Sequence, residues 1–448
     1  MNKLNQIKNN FSQSISVKIV VVTILVLLLL IPIGMIKSLI TERQVYREEA
    51  LQDIQDKWGK SQKVAGPILT IPVQQIKLID SKERIYNYLL HILPDDLNYE
   101  VKVTPEIRYR GMYKVVVYEA NLDISGNFPN MNELAVNYSN YTFKWNEAYM
   151  TIGVPDMKGI QNQLEIDLNG KKYGVTPGVK NKDIISTGVA FNTPINTEKL
   201  KKKINFKTNL ILKGSKDLQF YPIGKNTYIN MESPWENPSF KGNFLPENRN
   251  ISENGFNAYW KVLNLNRNYP QNWIGDTYTI ENSTFGVELL LPIDHYQKSM
   301  RSAKYALMLI FLTFICFLFF EILNNKRIHP IQYLLVSAGL VIFYILLLSL
   351  SEQIGFNKAY LLASAGIISL ITIYTSSVFR SFKVNAFFAA ILSTLYIYLF
   401  VILQMQDYAL LMGSIGLFII LALMMYFSRR VNWYKSIDEK TSTEVQTN

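Results

Sequence analysis

Six carboxylates in the polar part of the chain, Asp95, Asp96, Glu106, Asp156, Glu232 and Glu236, are of the type that cleaves glycosidic bonds in pairs. That chemistry needs two acids on facing elements, one protonating the leaving group and the other acting as base or nucleophile. Acids in the turns of a β-rich region are ordinarily solvated, so no catalytic pair is assigned. A seventh acid, Glu352, stands alone in LLLSLSEQIGFNKAYLLASAG between two apolar runs. Deep in a bilayer such a carboxylate would be a proton relay or ion ligand; at a hairpin tip it is a polar turn residue.

Other chemistry is thinly supplied. The three histidines, His91, His295 and His329, lie far apart and none has zinc-ligand spacing. No G-x-S-x-G elbow, P-loop or dinucleotide-binding glycine pattern occurs. The single cysteine, Cys316, excludes an intramolecular disulfide and a cysteine-based metal site. No catalytic residue, metal or cofactor is therefore expected.

The densest motif is ESPWENPSFKGNFLPENRNISENGFNAYWKV, Glu232–Val262, where Trp235, Phe240, Phe244, Phe256, Tyr259 and Trp260 are interleaved with prolines and glycines. Flat exposed rings bind sugars or peptides. Packed, the same rings would plug one end of a β-sandwich, which is the favoured reading. Trp235, Glu236 and Phe240 remain candidate partner contacts.

The elements that must position these groups fall into two populations. Of 448 residues 49% are hydrophobic, yet the mean hydropathy is only +0.07. Charge-free blocks at Ile19–Ile36, Tyr305–Phe320, Ile331–Leu350, Ala359–Val378, Val384–Leu403 and Tyr408–Phe427 approach or reach the roughly 20 residues that cross a bilayer. Between the first two lies a long polar stretch. Its segments GPILTIPVQQIKL, RIYNYLLHIL, EIRYRGMYKVVVYEANLDISG and KINFKTNLILKG are rich in β-branched and aromatic residues and alternate as strands do. Before them, Tyr46, Ala50, Ile54 and Trp58 form a helical stripe; Thr41 and Gln44 fit a capping box, and Gly59 offers a stop. The expected architecture is a membrane α-helical bundle plus a large all-β, antiparallel sandwich-like domain.

The formal charge of +11 sits mainly beside the spans. Residues 1–40 carry four lysines and no acid, residues 41–300 carry 31 bases and 29 acids, and residues 301–448 carry 11 bases and 6 acids. A nearly neutral domain without a basic stripe or helix-turn-helix pattern excludes nucleic acid. The N-terminus (Lys3, Lys8, Lys18), NNKRIHP, the segment with Arg380 and Lys383, and the tail with Arg429, Arg430 and Lys435 are basic, while SEQIGFNK and QMQD are not. The positive-inside rule then predicts six spans with both termini cytoplasmic. The expected organisation is a cytoplasmic N-terminus at 1–18, an anchor at 19–40, an external domain at 41–300, a five-span bundle at 301–428 and a cytoplasmic tail at 429–448. This topology puts Glu352 at the outer hairpin, where Lys298 or Arg301 could pair with it, and Glu321 and Asp407 at the interfaces.

ERQVYREEALQDIQDKWGKSQKVAGPILTIP, ILPDDLNYEVKVTPEIRYRGMYKVVVYEANLDISGNF, SPWENPSFKGNFLPENR with the later GFNAYWKV, and HPIQYLLVSAGLVIFYILLLSLSEQIGFNKAYLLAS together resemble the CreD family of inner-membrane, or cell envelope integrity, proteins. The resemblance runs from about Thr41 to Trp433. It implies a bacterial inner-membrane protein whose 41–300 domain is periplasmic, acting in the response to envelope damage: colicin tolerance, β-lactam response and cell shape. It brings no catalytic residue. The family's motif positions fall on Arg43, Trp58, Gly66, Pro67, Arg108, Arg110, Gly111, Trp235, Pro238, Phe240, Gly242 and Glu352, of which Arg108, Arg110 and Glu352 join the candidate contacts. The expected partners are the lipid bilayer and a periplasmic, membrane or wall component. A membrane-anchored carbohydrate-active enzyme and a lipid or small-molecule transporter stand as alternatives.

Overall fold

The computed structural model describes residues 15–195, 203–291, 295–323, 328–379, 381–405 and 408–429. Lys3, Lys8, Lys326, Arg327, Arg380, Asp407, Arg430 and Lys435 lie outside them. The chain divides into a helical unit, Met1–Tyr46 with Ile293–Asn448, and a β unit, Arg47–Pro292.

Helix α1 runs unbroken through Ile15–Trp58. A separate domain helix capped by Thr41 was expected; instead Thr41 is mid-helix, its Oγ1 donating to the Lys37 carbonyl at 3.0 Å. A threonine satisfied by this back-bond has no need to cap, and no Gly or Pro between Lys37 and Trp58 interrupts the ladder. Gly59 ends the helix.

In the β unit the strands are β1 (Gln62–Ile79), β2 (Lys82–Ile92), β3 (Asp96–Arg110), β4 (Tyr113–Phe128), β5 (Thr142–Phe143), β6 (Tyr149–Gly153), β7 (Glu165–Leu168), β8 (Lys171–Pro177) and β9 (Gly188–Asn192). Then come β10 (Ile204–Ser215), β11 (Asp217–Phe220), β12 (Asn226–Ser233), β13 (Pro238–Gly242), β14 (Asn248–Ser252), β15 (Gly255–Leu263), β16 (Asn272–Ile274) and β17 (Phe285–Leu289). A short helix, α2 (Met131–Asn137), follows β4. Three ladders share strands. One runs β1–β11–β17–β13. The second runs β16–β2–β1–β6–β9–β8. The third runs β14–β15–β12–β3–β4–β10–β7–β8.

The sheet is mixed, which corrects the antiparallel expectation. β1 pairs in parallel with β11, Gln62 beside Leu218, and β3 pairs in parallel with β12, Asp96 beside Asn226. Alternating hydrophobicity tells which face is buried and nothing about the direction of the neighbour. Asp80 and Ser81 both take positive φ, the geometry of a two-residue hairpin turn.

Alternation does build the core. Leu97, Tyr99, Val101 and Val103 of β3 are buried between half-buried or exposed neighbours, and Trp260, Tyr118, Phe128, Phe191, Phe220 and Phe285 fill the interior. Each fully buried aliphatic side chain contributes about 1.5–3 kcal/mol of transfer free energy.

The helical unit continues with α3 (His295–Lys304), α4 (Ala306–Leu323), α5 (Pro330–Ile354), α6 (Phe356–Phe379), α7 (Phe382–Gln404) and α8 (Ala409–Ser428). The start of α5 is a capping box: His329 Nδ1 accepts from the Ile331 N–H at 3.3 Å, and Gln332 Oε1 accepts from the His329 N–H at 3.1 Å. Among the described residues four helices are long and apolar enough to cross a membrane, Val20–Trp58, Pro330–Ile354, Phe356–Ser377 and Phe382–Gln404. Tyr296–Lys304 and Ala306–Glu321, bent by 45°, make a fifth if they act as one span. The expected six spans are not all recovered. At the second block the helix breaks at Tyr305 after the cations Arg301 and Lys304, leaving α4 with only 18 residues.

Candidate functional site

Several side chains converge on the end of α1, whose residues from Arg47 to Trp58 belong to the β unit. The Arg108 guanidinium lies 4.2 Å from the centre of the Trp58 ring and Lys213 Nζ 4.3 Å from it. Trp58 Nε1 donates to the Tyr118 carbonyl at 3.3 Å. One turn earlier, Asp53 takes Lys57 at 2.7 Å and Arg110 at 3.1 Å. The hydrogen bond from Lys57 holds the Asp53 carboxyl below the usual range, with Arg110 adding to it. Glu106 pairs with Arg108 at 3.0 Å. The period of the β3–β4 hairpin puts Glu106, Arg108 and Arg110 on one face, and that face meets the helix.

Gly59 makes the junction sterically possible. Its φ is +149°, and a Cβ there would stand 2.7 Å from the Lys213 carbonyl oxygen. The chain leaving the helix is then caught by Asp156, whose Oδ2 accepts the Lys60 N–H at 3.0 Å and whose Oδ1 accepts the Lys158 N–H at 3.2 Å. Gln62 Nε2 donates to the carbonyls of Asp156 (3.1 Å) and Lys213 (3.0 Å). Asp156, a candidate acid in the glycosidase reading, is thus a backbone cap.

Asp96, Glu232 and Asp95 are also engaged by their own partners. Asp96 accepts from Asn226 and Asn127, and these hydrogen bonds pull its carboxyl below the usual range. Glu232 pairs with Lys102 at 3.3 Å in solvent, and Asp95 with Lys203 at 3.8 Å. Glu236 is exposed.

Trp235 and Phe240 pack. Trp235 Nε1 donates to the Leu290 carbonyl at 3.1 Å. Phe240 meets Phe256 and Trp260 edge-on at 5.9 and 5.6 Å, and Phe244 meets Phe285 at 5.6 Å. Phe240 belongs to β13 and its ring partners to β15, so the rings fill the space between two ladders.

Sequence reasoning missed the polar cleft around His91. His91 is 3% exposed. Its Nδ1 is 3.1 Å from Thr70 Oγ1 and its Nε2 3.4 Å from Asp183 Oδ2. A carboxylate only accepts, so Nε2 carries the proton and Nδ1 accepts the Thr70 hydroxyl. Burial pushes the His91 pKa below its usual value, against the opposing pull of Asp183. Burial also pushes the Tyr149 hydroxyl up to about 12, moderated by a hydrogen bond to Thr70. Ile68, Thr151, Asn181, Ile184 and Ile185 complete a cavity of about 20 Å³, room for one water. The signal in LLHIL was a polar ring on an apolar strand; its partners lie 21 and 92 residues away and left no trace.

The comparisons with known proteins cover almost the whole molecule. The family described as Inner membrane protein CreD matches residues 14–434. Inner membrane protein CreD of Escherichia coli K12 is 34% identical over 432 residues, spanning 93% of this chain and 94% of that protein. The chain belongs to the CreD family.

In this CreD-family chain Glu352 lies near the end of α5, which Gly355 closes with φ +84° and an N–H bond to the Ser351 carbonyl at 3.2 Å. The expected partners Lys298 and Arg301 are replaced by Tyr296, whose hydroxyl donates to Glu352 Oε1 at 2.9 Å. Lys298, two residues on, points to a different side of α3 and donates to Gln404 Oε1 at 2.8 Å. Gln404 in turn donates to Asn357 at 2.7 Å. Glu321, expected at an interface, is 1% exposed and accepts from the Ile328 N–H at 3.0 Å and the Tyr333 hydroxyl at 2.8 Å. It ties α4 to the start of α5. The six predicted contacts therefore fall into three groups: Arg108 with Arg110, Trp235 with Phe240 and the exposed Glu236, and Glu352 by itself in the helical unit.

Proposed function

We propose that this CreD-family protein maintains the cell envelope without enzymatic chemistry, its β unit lying in the periplasm, binding an envelope component and passing the bound state to the helical unit through α1. The observation that carries this reading is the clasp at Trp58. The family-motif positions Trp58, Arg108 and Arg110 converge on a helix end held by cations, a carboxylate and backbone caps. Such a joint transmits force or orientation, which suits a coupling role. The proposed topology has six spans, both termini cytoplasmic and residues 41–300 periplasmic.

The test is a deletion strain challenged with detergent, a β-lactam and a colicin, then complemented with the whole chain, with the β unit carrying an unrelated anchor, or with the helical unit. Rescue by the whole chain alone supports coupling; rescue by the anchored β unit alone refutes it. Reporter fusions at Gly170 and after Arg429 check the topology, and activity of a periplasmic reporter at the tail would reject it. Crosslinking from native membranes identifies the partner.

A further inference from the structure

We propose that the tip of the β1–β2 hairpin, Gln75–Tyr86, is a lipid-binding ribbon for an anionic phospholipid surface. Beyond Gln74 in β1 and before Asn87 in β2 the two strands pair with each other alone among the described residues. A free two-stranded ribbon is marginal in water and has no core of its own. Here it nevertheless exposes three large aliphatic side chains, Ile76 (58%), Leu78 (73%) and Ile85 (60%). The register puts them on one face, because Ile76 pairs with Ile85 and Leu78 follows two residues after Ile76.

The opposite face is cationic. Lys77 stands directly across from Arg84, and Lys82 across from Ile79 on the same side. Like charges placed directly opposite destabilise a ribbon, and none of the three has an ion pair among the described residues. Lys77 Nζ rests 5.5 Å from the Tyr86 ring. The acids are Asp80, at the turn, and Glu83, which stands on the apolar face directly across from Leu78 at its turn end. An apolar face backed by unpaired cations is the pattern of an interfacial segment, with aliphatic side chains entering the headgroup boundary and Lys and Arg stems bending back to the phosphates. Phosphates relieve the Lys77–Arg84 repulsion, which a neutral apolar partner would not. The same chain carries apolar helices long enough to cross a bilayer. The proposal is independent of the envelope-partner reading.

Cys316 is the only cysteine, so Cys316→Ser with Leu78→Cys places one polarity-sensitive fluorophore on the ribbon of the full chain. Leu265→Cys, at a leucine 86% exposed elsewhere on the β unit, is the control. The proteins go into nanodiscs, one copy each, of phosphatidylethanolamine with phosphatidylglycerol or of phosphatidylcholine. In phosphatidylglycerol discs the label at 78 should shift to the blue and be quenched by lipid-borne doxyl groups, while the label at 265 should not. Each of Lys77→Gln, Lys82→Gln and Arg84→Gln should weaken the bound equilibrium about fivefold. A label at 78 as open to aqueous quencher as that at 265 would overturn the proposal. So would shielding seen only in discs with two copies, which assigns the face to chain–chain contact.

Discussion

Arg108 holds its guanidinium 4.2 Å from the centre of the Trp58 indole, and with the Asp53–Arg110 ion pair and the Trp58–Tyr118 hydrogen bond this contact ties the end of a 44-residue helix to the β3–β4 hairpin. A cation over an indole at a partly exposed site contributes about 0.5–1 kcal/mol. Trp58→Leu keeps apolar bulk and removes the ring quadrupole, and Arg108→Ala removes the cation. A double-mutant cycle on the detergent-solubilised chain should give a coupling of about 0.5–1 kcal/mol. Zero coupling would mean that Arg108 matters only through Glu106.

Gly59→Ala should destabilise the β unit by more than about 1 kcal/mol, since a side chain is strained at φ +149° and its Cβ would overlap the Lys213 carbonyl. Gly170, also at positive φ but with open space around it, is the control. Thermal unfolding followed by β-sheet circular dichroism should show the larger loss at Gly59.

Asp156→Ala should lose about 1 kcal/mol, the usual value of a side chain that caps backbone N–H groups, whereas Glu236→Gln should leave stability unchanged. Both should keep envelope function in the deletion strain when expression is restored. Loss of function in Glu236→Gln at normal expression would revive the carbohydrate-active reading that the engaged acids argue against.

Period and punctuation made much of this architecture legible. The strands of β3 and β4, the Gly355 hairpin, the Gly59 stop and the packing role of Phe240 and Trp260 all follow from alternation or from local turn chemistry. What stayed hidden depends on partners distant in sequence. Nothing near Gln62 shows that it will lie parallel to Leu218, and nothing near His91 announces Asp183. The Thr41 cap misled because a cap sequence inside a continuing helix has another outlet, the Lys37 carbonyl. Glu352 was placed at the correct hairpin with the wrong partner, since helix phase within α3 decides between Tyr296 and Lys298 and needs the three-dimensional packing.

His91 makes stability depend on pH. Its folded pKa lies below the usual value of about 6.5 because burial disfavours the charged ring. The unfolded chain then binds a proton that the folded one resists, so stability is full above about pH 6.5 and falls as pH drops toward the folded pKa. His91→Gln cannot titrate and retains a hydrogen-bonding head. The melting temperature of the β unit should fall less between pH 7.5 and 5 in that variant than in the wild type, at about equal salt. Parallel curves would place the acid sensitivity elsewhere.

Tyr296 and Glu352 offer the sharpest discrimination in the helical unit. The hydroxyl donates to a carboxylate oxygen at 2.9 Å, and a hydrogen bond to a charged group contributes about 1.5–3 kcal/mol. Glu352→Gln keeps an acceptor oxygen in place, so it should cost much less than Tyr296→Phe, which leaves the carboxylate without that donor. If Glu352 instead acts through its charge, against Lys298 or Arg301, the order reverses: Glu352→Gln becomes the damaging change and Tyr296→Phe the mild one. Detergent-melting temperatures of the two single variants and the double decide between them. A double variant no worse than Tyr296→Phe means that the hydroxyl is what the carboxylate is there to hold.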